Sequence, residues 1–128
     1  METQNKKILI IEDDDNLGHF LEEVLRKEKY VVSRALNGKE GLAKALKEIP
    51  DLIFLDIQMP KMNGVMFLRE LRKDKKGVSI PIIALSNIDD ATTVSEMMVG
   101  NVKNFFVKTN LSLPDVMVKV KEIFENKS

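Results

Sequence analysis

The chain has 128 residues, enough for one domain that buries roughly two thirds of its unfolded surface and folds without covalent staples, and too few for a second domain. Twenty basic and twenty acidic residues cancel, which removes any general electrostatic case for direct binding to nucleic acid or to an anionic membrane. Cysteine is absent, Met1 to Lys7 carry no apolar signal core and no apolar run approaches membrane-spanning length, so a cytoplasmic protein without a membrane partner is expected.

Along the chain, strand and helix signals alternate. Ile8-Leu9-Ile10-Ile11 reads as a first strand, and Leu17, Phe20, Leu21, Val24 and Leu25 recur at helical spacing behind it. The short apolar stretch Tyr30-Val31-Val32 follows a charged turn and gives the second strand. Asn37 with Glu40 three residues on has capping-box spacing, opening a helix through Leu42, Ala45 and Leu46 that Pro50 closes. Leu52-Ile53-Phe54-Leu55 is the third strand, Gly64 begins a helix carrying Val65, Phe67, Leu68 and Leu71, and Asp74-Lys75-Lys76-Gly77 turns the chain into the fourth strand, Ile82-Ile83-Ala84-Leu85. Asp89 or Asp90 caps a predicted fourth helix with Val94, Met97 and Met98, ending near Gly100-Asn101, residues that tolerate a left-handed backbone. Phe105-Phe106-Val107 is the fifth strand. Ser112-Leu113-Pro114-Asp115 then opens a fifth helix through Val116, Val120, Ile123 and Phe124.

Such alternation predicts an α/β fold, because crossover helices force the strands parallel and cover both faces of the sheet. A closed eight-stranded barrel needs about twice this length. The expectation is a flavodoxin-like, doubly wound five-stranded parallel sheet of order 2-1-3-4-5, a (βα)5 unit, with no repeat, linker or low-complexity segment.

Four of the strands end in polar residues of different chemistry: Glu12-Asp13-Asp14, Asp56, Ser86 and Lys108. Ligands of open parallel sheets bind beyond the carboxyl ends of the strands, and in this order the first and third strands are neighbours at the switch point. Each residue alone has a plain explanation, a helix cap for one of the three acidic residues, a turn for Asp56, a solvated strand end for Lys108. Together they converge. Clustered carboxylates repel unless a cation joins them, and a hard, oxygen-only set with room for water and phosphate suits magnesium. Asp56 is a competent nucleophile toward phosphorus once charge is neutralised, Lys108 supplies a further positive charge, and Ser86 with the backbone amides beside Asp56 and Asn87 can donate to phosphoryl oxygens.

With those residues in view, the chain from Lys7 to Phe124 resembles the receiver domain of two-component response regulators, of the single-domain, chemotaxis-regulator-like kind. Ile-Leu-Ile-Ile-Glu-Asp-Asp at 8 to 14 is similar to the family's acidic pair after the first strand, and Asp-Leu-Ile-Phe-Leu-Asp-Ile-Gln-Met-Pro-Lys-Met-Asn-Gly at 51 to 64 to its phosphoacceptor segment. The resemblance implies that residues 1–128 form one receiver domain, a signalling protein rather than an enzyme. It implies Asp56 as phosphoacceptor, with Asp13, Asp56 and the backbone carbonyl of Gln58 binding Mg2+, or Mn2+ in its place, and Glu12 acting through water. It implies Ser86 and Phe105 as the switch pair and Lys108 as the partner of the phosphoryl group. The donor would be a histidine kinase or histidine phosphotransfer protein. The output would go to an unidentified protein on the face made by the predicted fourth helix, the fifth strand and the fifth helix, the chain being a monomer or a weak phosphorylation-dependent dimer.

The sequence departs from the family's pattern at a few positions. Thr109 stands where a proline commonly follows the lysine, which predicts a trans bond and a re-routed loop, or a cis bond under strain. Asn87 enlarges the rim beside Ser86, and Asn101 replaces a usual glycine. Gln58 and Ile88, two residues beyond Asp56 and Ser86, are expected to tune phosphoryl lifetime. Other readings fare worse: an aspartyl-phosphate hydrolase would need an acid at Gln58, and a nucleotide or flavin binder would be repelled by Glu12-Asp13-Asp14. A DNA-binding regulator would need an appended domain. A phosphorylation-independent binding module and a receiver fragment of a longer regulator or hybrid kinase are the alternatives kept.

Overall fold

The computed structural model describes residues 6–58, 62–87 and 101–125. Among them, five strands run β1 (Lys7–Ile11), β2 (Val31–Ala35), β3 (Leu52–Asp56), β4 (Ile82–Ser86) and β5 (Asn104–Val107), with helices α1 (Asp15–Lys27), α2 (Gly38–Glu48), α3 (Gly64–Lys73) and α4 (Leu113–Glu125). All pairings are parallel and the order is β2-β1-β3-β4-β5, as expected. The predicted fourth helix, with its Asp89 or Asp90 cap and Met97 and Met98, lies outside the described residues, as does Ile88.

Two faces explain why the strands are apolar runs rather than alternating ones. Ile8 and Ile10 of β1 join Leu52 and Phe54 of β3 against Leu21 and Leu25 of α1 and Val116 and Val120 of α4. Their neighbours Leu9, Ile11, Ile53 and Leu55 face the opposite way, against Ala45 of α2 and Phe67, Leu68 and Leu71 of α3. The side chains of β3 and β4 are buried throughout, including the terminal Asp56 and Ser86. Continuous packing of this kind makes the sheet a stiff floor and leaves its carboxyl edge as the place where polar side chains emerge.

Helix ends follow the sequence signals closely. Asp14 caps α1, accepting from the amides of Asn16 and Leu17, and Asn37 caps α2 through the amide of Glu40 at 2.8 Å. Glu40 completes the box one residue early, accepting from Leu36 N at 2.8 Å. Gly64 starts α3 where nothing larger fits, since a Cβ there would meet the Cα of Ile57, directly after Asp56. Asn101 has φ 61 and takes up the left-handed conformation expected of it. Ile49 shares that region at φ 49, an unusual place for a β-branched residue. The second strand is longer than its apolar core, reaching Ala35 through Ser33 and Arg34, because an edge strand needs less apolar surface to stay paired with β1.

Candidate functional site

Register brings the site together. Ile11 pairs with Leu55, so Glu12 and Asp56 leave neighbouring strands side by side. Asp56 pairs with Leu85 and Ser86 with Val107, which sets Ser86 beside Ile57 and delivers Lys108 at the next step on β5. The ladder continues one residue past β3, where Ile57 N donates to Leu85 O at 2.9 Å, and then Gln58 N turns back to Asp56 Oδ1 at 3.1 Å. Gly64 N donates to Ile57 O at 2.9 Å, drawing the start of α3 onto the same corner. All four predicted strand ends therefore meet at one edge.

The acidic side is crowded. Glu12, Asp13 and Asp56 each present a carboxylate oxygen, all within 4.8 Å of one another, with Glu12 and Asp56 buried and Asp13 exposed. Lys108 Nζ lies 3.0 Å from Glu12 Oε2 and 3.1 Å from Asp56 Oδ2, so one ammonium serves two buried carboxylates. Among the described residues, Glu12 Oε1 is buried with no hydrogen-bond partner, and none aligns a donor as a hydrogen bond on Asp56 Oδ2, which keeps its ion pair with Lys108. Burial first, and the charge of Glu12 second, push the Asp56 carboxyl up from 3.8 to about 7, with Lys108 pulling the other way. Burial alone would lower the Lys108 ammonium, but Glu12 and Asp56 hold it above its ordinary value. Two buried carboxylates and an exposed third one this close together are compatible with a small hard divalent cation. Asp14 is spent differently, as the α1 cap, so helix cap and acidic site are divided among three consecutive residues.

The other side of Asp56 is closed by hydrogen bonds. Gln58 Nε2 donates to Ser86 Oγ at 3.1 Å, and Gln58 Oε1 accepts the backbone N–H of Asn87 at 3.0 Å. Ser86 is buried and Asn87 exposed. One carboxamide thus engages two of the groups that the sequence assigns to phosphoryl oxygens, the Ser86 hydroxyl and the Asn87 amide. Nothing in the spacing signals this bond, which depends on the rotamer of Gln58.

Of the remaining predicted residues, Phe105 is half-buried and packs with the cluster on the α2 and α3 side of the sheet. Thr109 is exposed, the Lys108–Thr109 bond is trans, and the chain leaves β5 through a 3-10 turn over Lys108–Asn110. Of the two alternatives, the bond is therefore the trans one. Arg34 is a residue that no motif marks: its guanidinium donates to the carbonyl oxygen of Glu12 from Nε at 3.2 Å and from Nη2 at 2.9 Å. A polar residue in an edge strand reads as solvated surface until the register is known.

Comparisons with known proteins agree with this geometry. A family model described as response regulator receiver domain matches residues 8–121. Response regulator ArlR of Staphylococcus saprophyticus is 43% identical over 84 residues, covering 66% of this chain and 38% of that protein. ArlR of Staphylococcus aureus is 42% identical over 84 residues, covering 66% of this chain and 37% of the relative. The chain thus spans well under half the length of these curated relatives. Among solved structures, a two-component response regulator from Clostridium difficile superposes with a TM-score of 0.88 at 25% identity, covering 97% of this chain and 100% of that one. A CheY-like response regulator receiver domain protein from Methanospirillum hungatei superposes at 0.87 with 26% identity, covering 95% and 96%.

Proposed function

The chain belongs to the response regulator receiver domain family, and on that premise we propose that it is a phosphorylation switch in which Asp56 takes a phosphoryl group from the phosphohistidine of a histidine kinase or histidine phosphotransfer protein. The observation that carries this is the cluster of Glu12, Asp13 and Asp56 carboxylates within 4.8 Å, with Lys108 ion-paired to both buried members. In the transfer, a carboxylate oxygen of Asp56 attacks phosphorus in line. The bond from phosphorus to the donor imidazole nitrogen breaks, and that nitrogen keeps the electron pair and takes up a proton from solvent.

Asp13, Asp56 and the backbone carbonyl of Gln58 would hold Mg2+, or Mn2+, with Glu12 reaching it through water. When bound, the cation neutralises charge on the transferred group and on the clustered carboxylates. Lys108 is positioned to exchange its ion pair with Asp56 for a phosphoryl oxygen, keeping Glu12 as its second partner. The Ser86 hydroxyl, 3.3 Å from Gln58 Oε1, and the Asn87 amide, 3.0 Å from the same oxygen, must give up that acceptor to donate to the other oxygens, so Gln58 sets how readily the phosphorylated arrangement forms and how long it lasts. The exposed Asn87 and Thr109 act as tuning residues on the same rim, and Ile88, two residues beyond Ser86 in sequence, is a further tuning candidate. Movement of Ser86 toward the phosphate frees space for Phe105, and the altered surface around β5 and α4 binds an unidentified downstream protein. This is a stoichiometric, self-catalysed transfer in the cytoplasm, not an enzyme's turnover, and the protein works as a monomer or a weak phosphorylation-dependent dimer.

Intact mass after incubation with Mg2+ and a small acyl-phosphate donor tests the proposal. A single phosphoryl adduct that needs Mg2+ and is lost in Asp56→Asn is expected. A folded wild-type protein that takes no phosphoryl group would overturn it.

A further inference from the structure

Arg34 sits within β2 with its side chain only 10% exposed, although nothing at the nucleophile requires an arginine there. Besides its two bonds to the Glu12 carbonyl, Nη2 reaches the Asp14 carbonyl at 3.3 Å and Asp15 Oδ1 at 3.0 Å. These carbonyls bracket Asp13. The Glu12 carbonyl belongs to the peptide plane that carries the Asp13 N–H, so gripping it restricts how the exposed Asp13 side chain can be presented. The guanidinium also has a slot to lie in. A Cβ on Gly18 of α1 would fall on its Cζ, Nε and Nη2 atoms, so the glycine is what admits the fork.

We propose that Arg34 is a positioning residue for the cation site: through the Glu12 and Asp14 carbonyls it holds the acidic loop in the shape that presents Asp13 beside Glu12 and Asp56. The inference rests on reading those three carboxylates as a cation site. Its physical content is preorganisation, since a loop already gripped loses less freedom when a metal orders it. Arg34 carries a positive charge close to the loop, so simple electrostatics makes the opposite forecast. By charge alone, removing the arginine should tighten a divalent cation; by positioning, it should loosen it. Lysine keeps the charge but has no planar fork to span the carbonyls.

Calorimetric titration of Mg2+ into the metal-stripped full chain, well below its unfolding temperature in chelator, separates the two. Wild type, R34M, R34K, G18A and the G18A/R34M pair are compared. We expect R34M to weaken Mg2+ about tenfold or more, the range typical of groups that orient metal ligands. R34K should weaken it too, despite its charge, and it stands in for R34M if that variant does not fold. G18A should weaken Mg2+ by displacing the guanidinium, yet have no further effect once Arg34 is gone, because the methyl then has room. Affinity in both R34M and R34K equal to or tighter than wild type would overturn the proposal, as would G18A and R34M effects that multiply. If wild type itself binds no Mg2+, the reading of the cation site fails and the positioning role falls with it.

Discussion

On one side of Asp56, Glu12 and Asp13 crowd acidic oxygens together and leave Glu12 Oε1 buried without a donor among the described residues. On the other, Ser86 and the Asn87 amide are both held by a single carboxamide from Gln58. Both sides stand at the same sheet edge, at the ends of strands packed equally well. The difference lies in what each lacks. The acidic side is short of positive charge and gains from any cation that enters. The donor side supplies its own substitute for a ligand and must break existing bonds before it can serve another. If the proposed function holds, an arrangement of this kind should take up a divalent cation readily, yet reach a phosphorylated state only once a phosphoryl group displaces Gln58.

The largest effect is expected from removing the ammonium that serves the acidic side. Lys108→Met leaves Glu12 and Asp56 buried with no cation between them, and loss of one partner of a buried ion pair destabilises by about 3–5 kcal/mol. Thermal unfolding in chelator should show the loss, and added Mg2+ should recover part of it. An unchanged midpoint would mean that water already solvates the two carboxylates.

Proton binding probes the same deficit without mutation. The Asp56 carboxyl keeps its proton to about 7 when folded and to 3.8 when unfolded, so the folded state binds the extra proton between those values. The contribution is complete below 3.8 and is lost as pH rises through about 7. In chelator, the unfolding midpoint should therefore fall across that window relative to Asp56→Asn, which lacks the group. Mg2+ should raise the midpoint more above the window than below it. A flat difference between wild type and Asp56→Asn would show that the carboxylate is ionised throughout.

Asp13→Asn sharpens the contrast between the buried and exposed members of the cluster. Mg2+ affinity should drop by more than the roughly tenfold that outer contacts contribute, while the metal-free protein unfolds no earlier than wild type, since a like charge has left the cluster. Calorimetry and thermal unfolding on the same sample read both. Earlier unfolding in chelator would indicate that Asp13 makes a structural contact rather than waiting for a cation.

How far the sequence could be read divides along the same line. The acidic side was legible because its signals are one-dimensional: apolar runs that end in Glu12, Asp56 and Lys108 need only strand order to meet, and the pattern of runs and helix periods supplies that order. Even Asp14, with a cap and a site residue both plausible, resolves once three consecutive acids share two tasks. The donor side was only half legible. Ser86 and Asn87 are placed by β4, but the bond from Gln58 depends on a side-chain rotamer that no spacing encodes. Arg34 was hidden for a related reason. Apart from the Asp15 carboxylate its partners are backbone carbonyls, which every residue owns, so only the register of β2 on β1 and the bare Gly18 opposite reveal it.

The mildest test falls on Gln58. Truncation to alanine frees Ser86 Oγ and the Asn87 N–H from the carboxamide, and each such bond is worth about 1 kcal/mol net because water takes its place. If about half of that hold is already released in the transition state for phosphorylation, Gln58→Ala should raise the rate of adduct formation from a small acyl phosphate about three- to tenfold, the equivalent of about 1 kcal/mol. Mg2+ affinity should stay level, since the backbone carbonyl of residue 58 and all three carboxylates remain. The two measurements must separate for the comparison to hold. A rate that does not move would mean that ordered water reproduces the hold on Ser86, and that the donor side is as open to a phosphoryl group as the acidic side is to a cation. A rate and an affinity that change together would mean that Gln58 also shapes the turn after Asp56, whose amide it contributes at 3.1 Å to Asp56 Oδ1, and that the two sides are one mechanical unit.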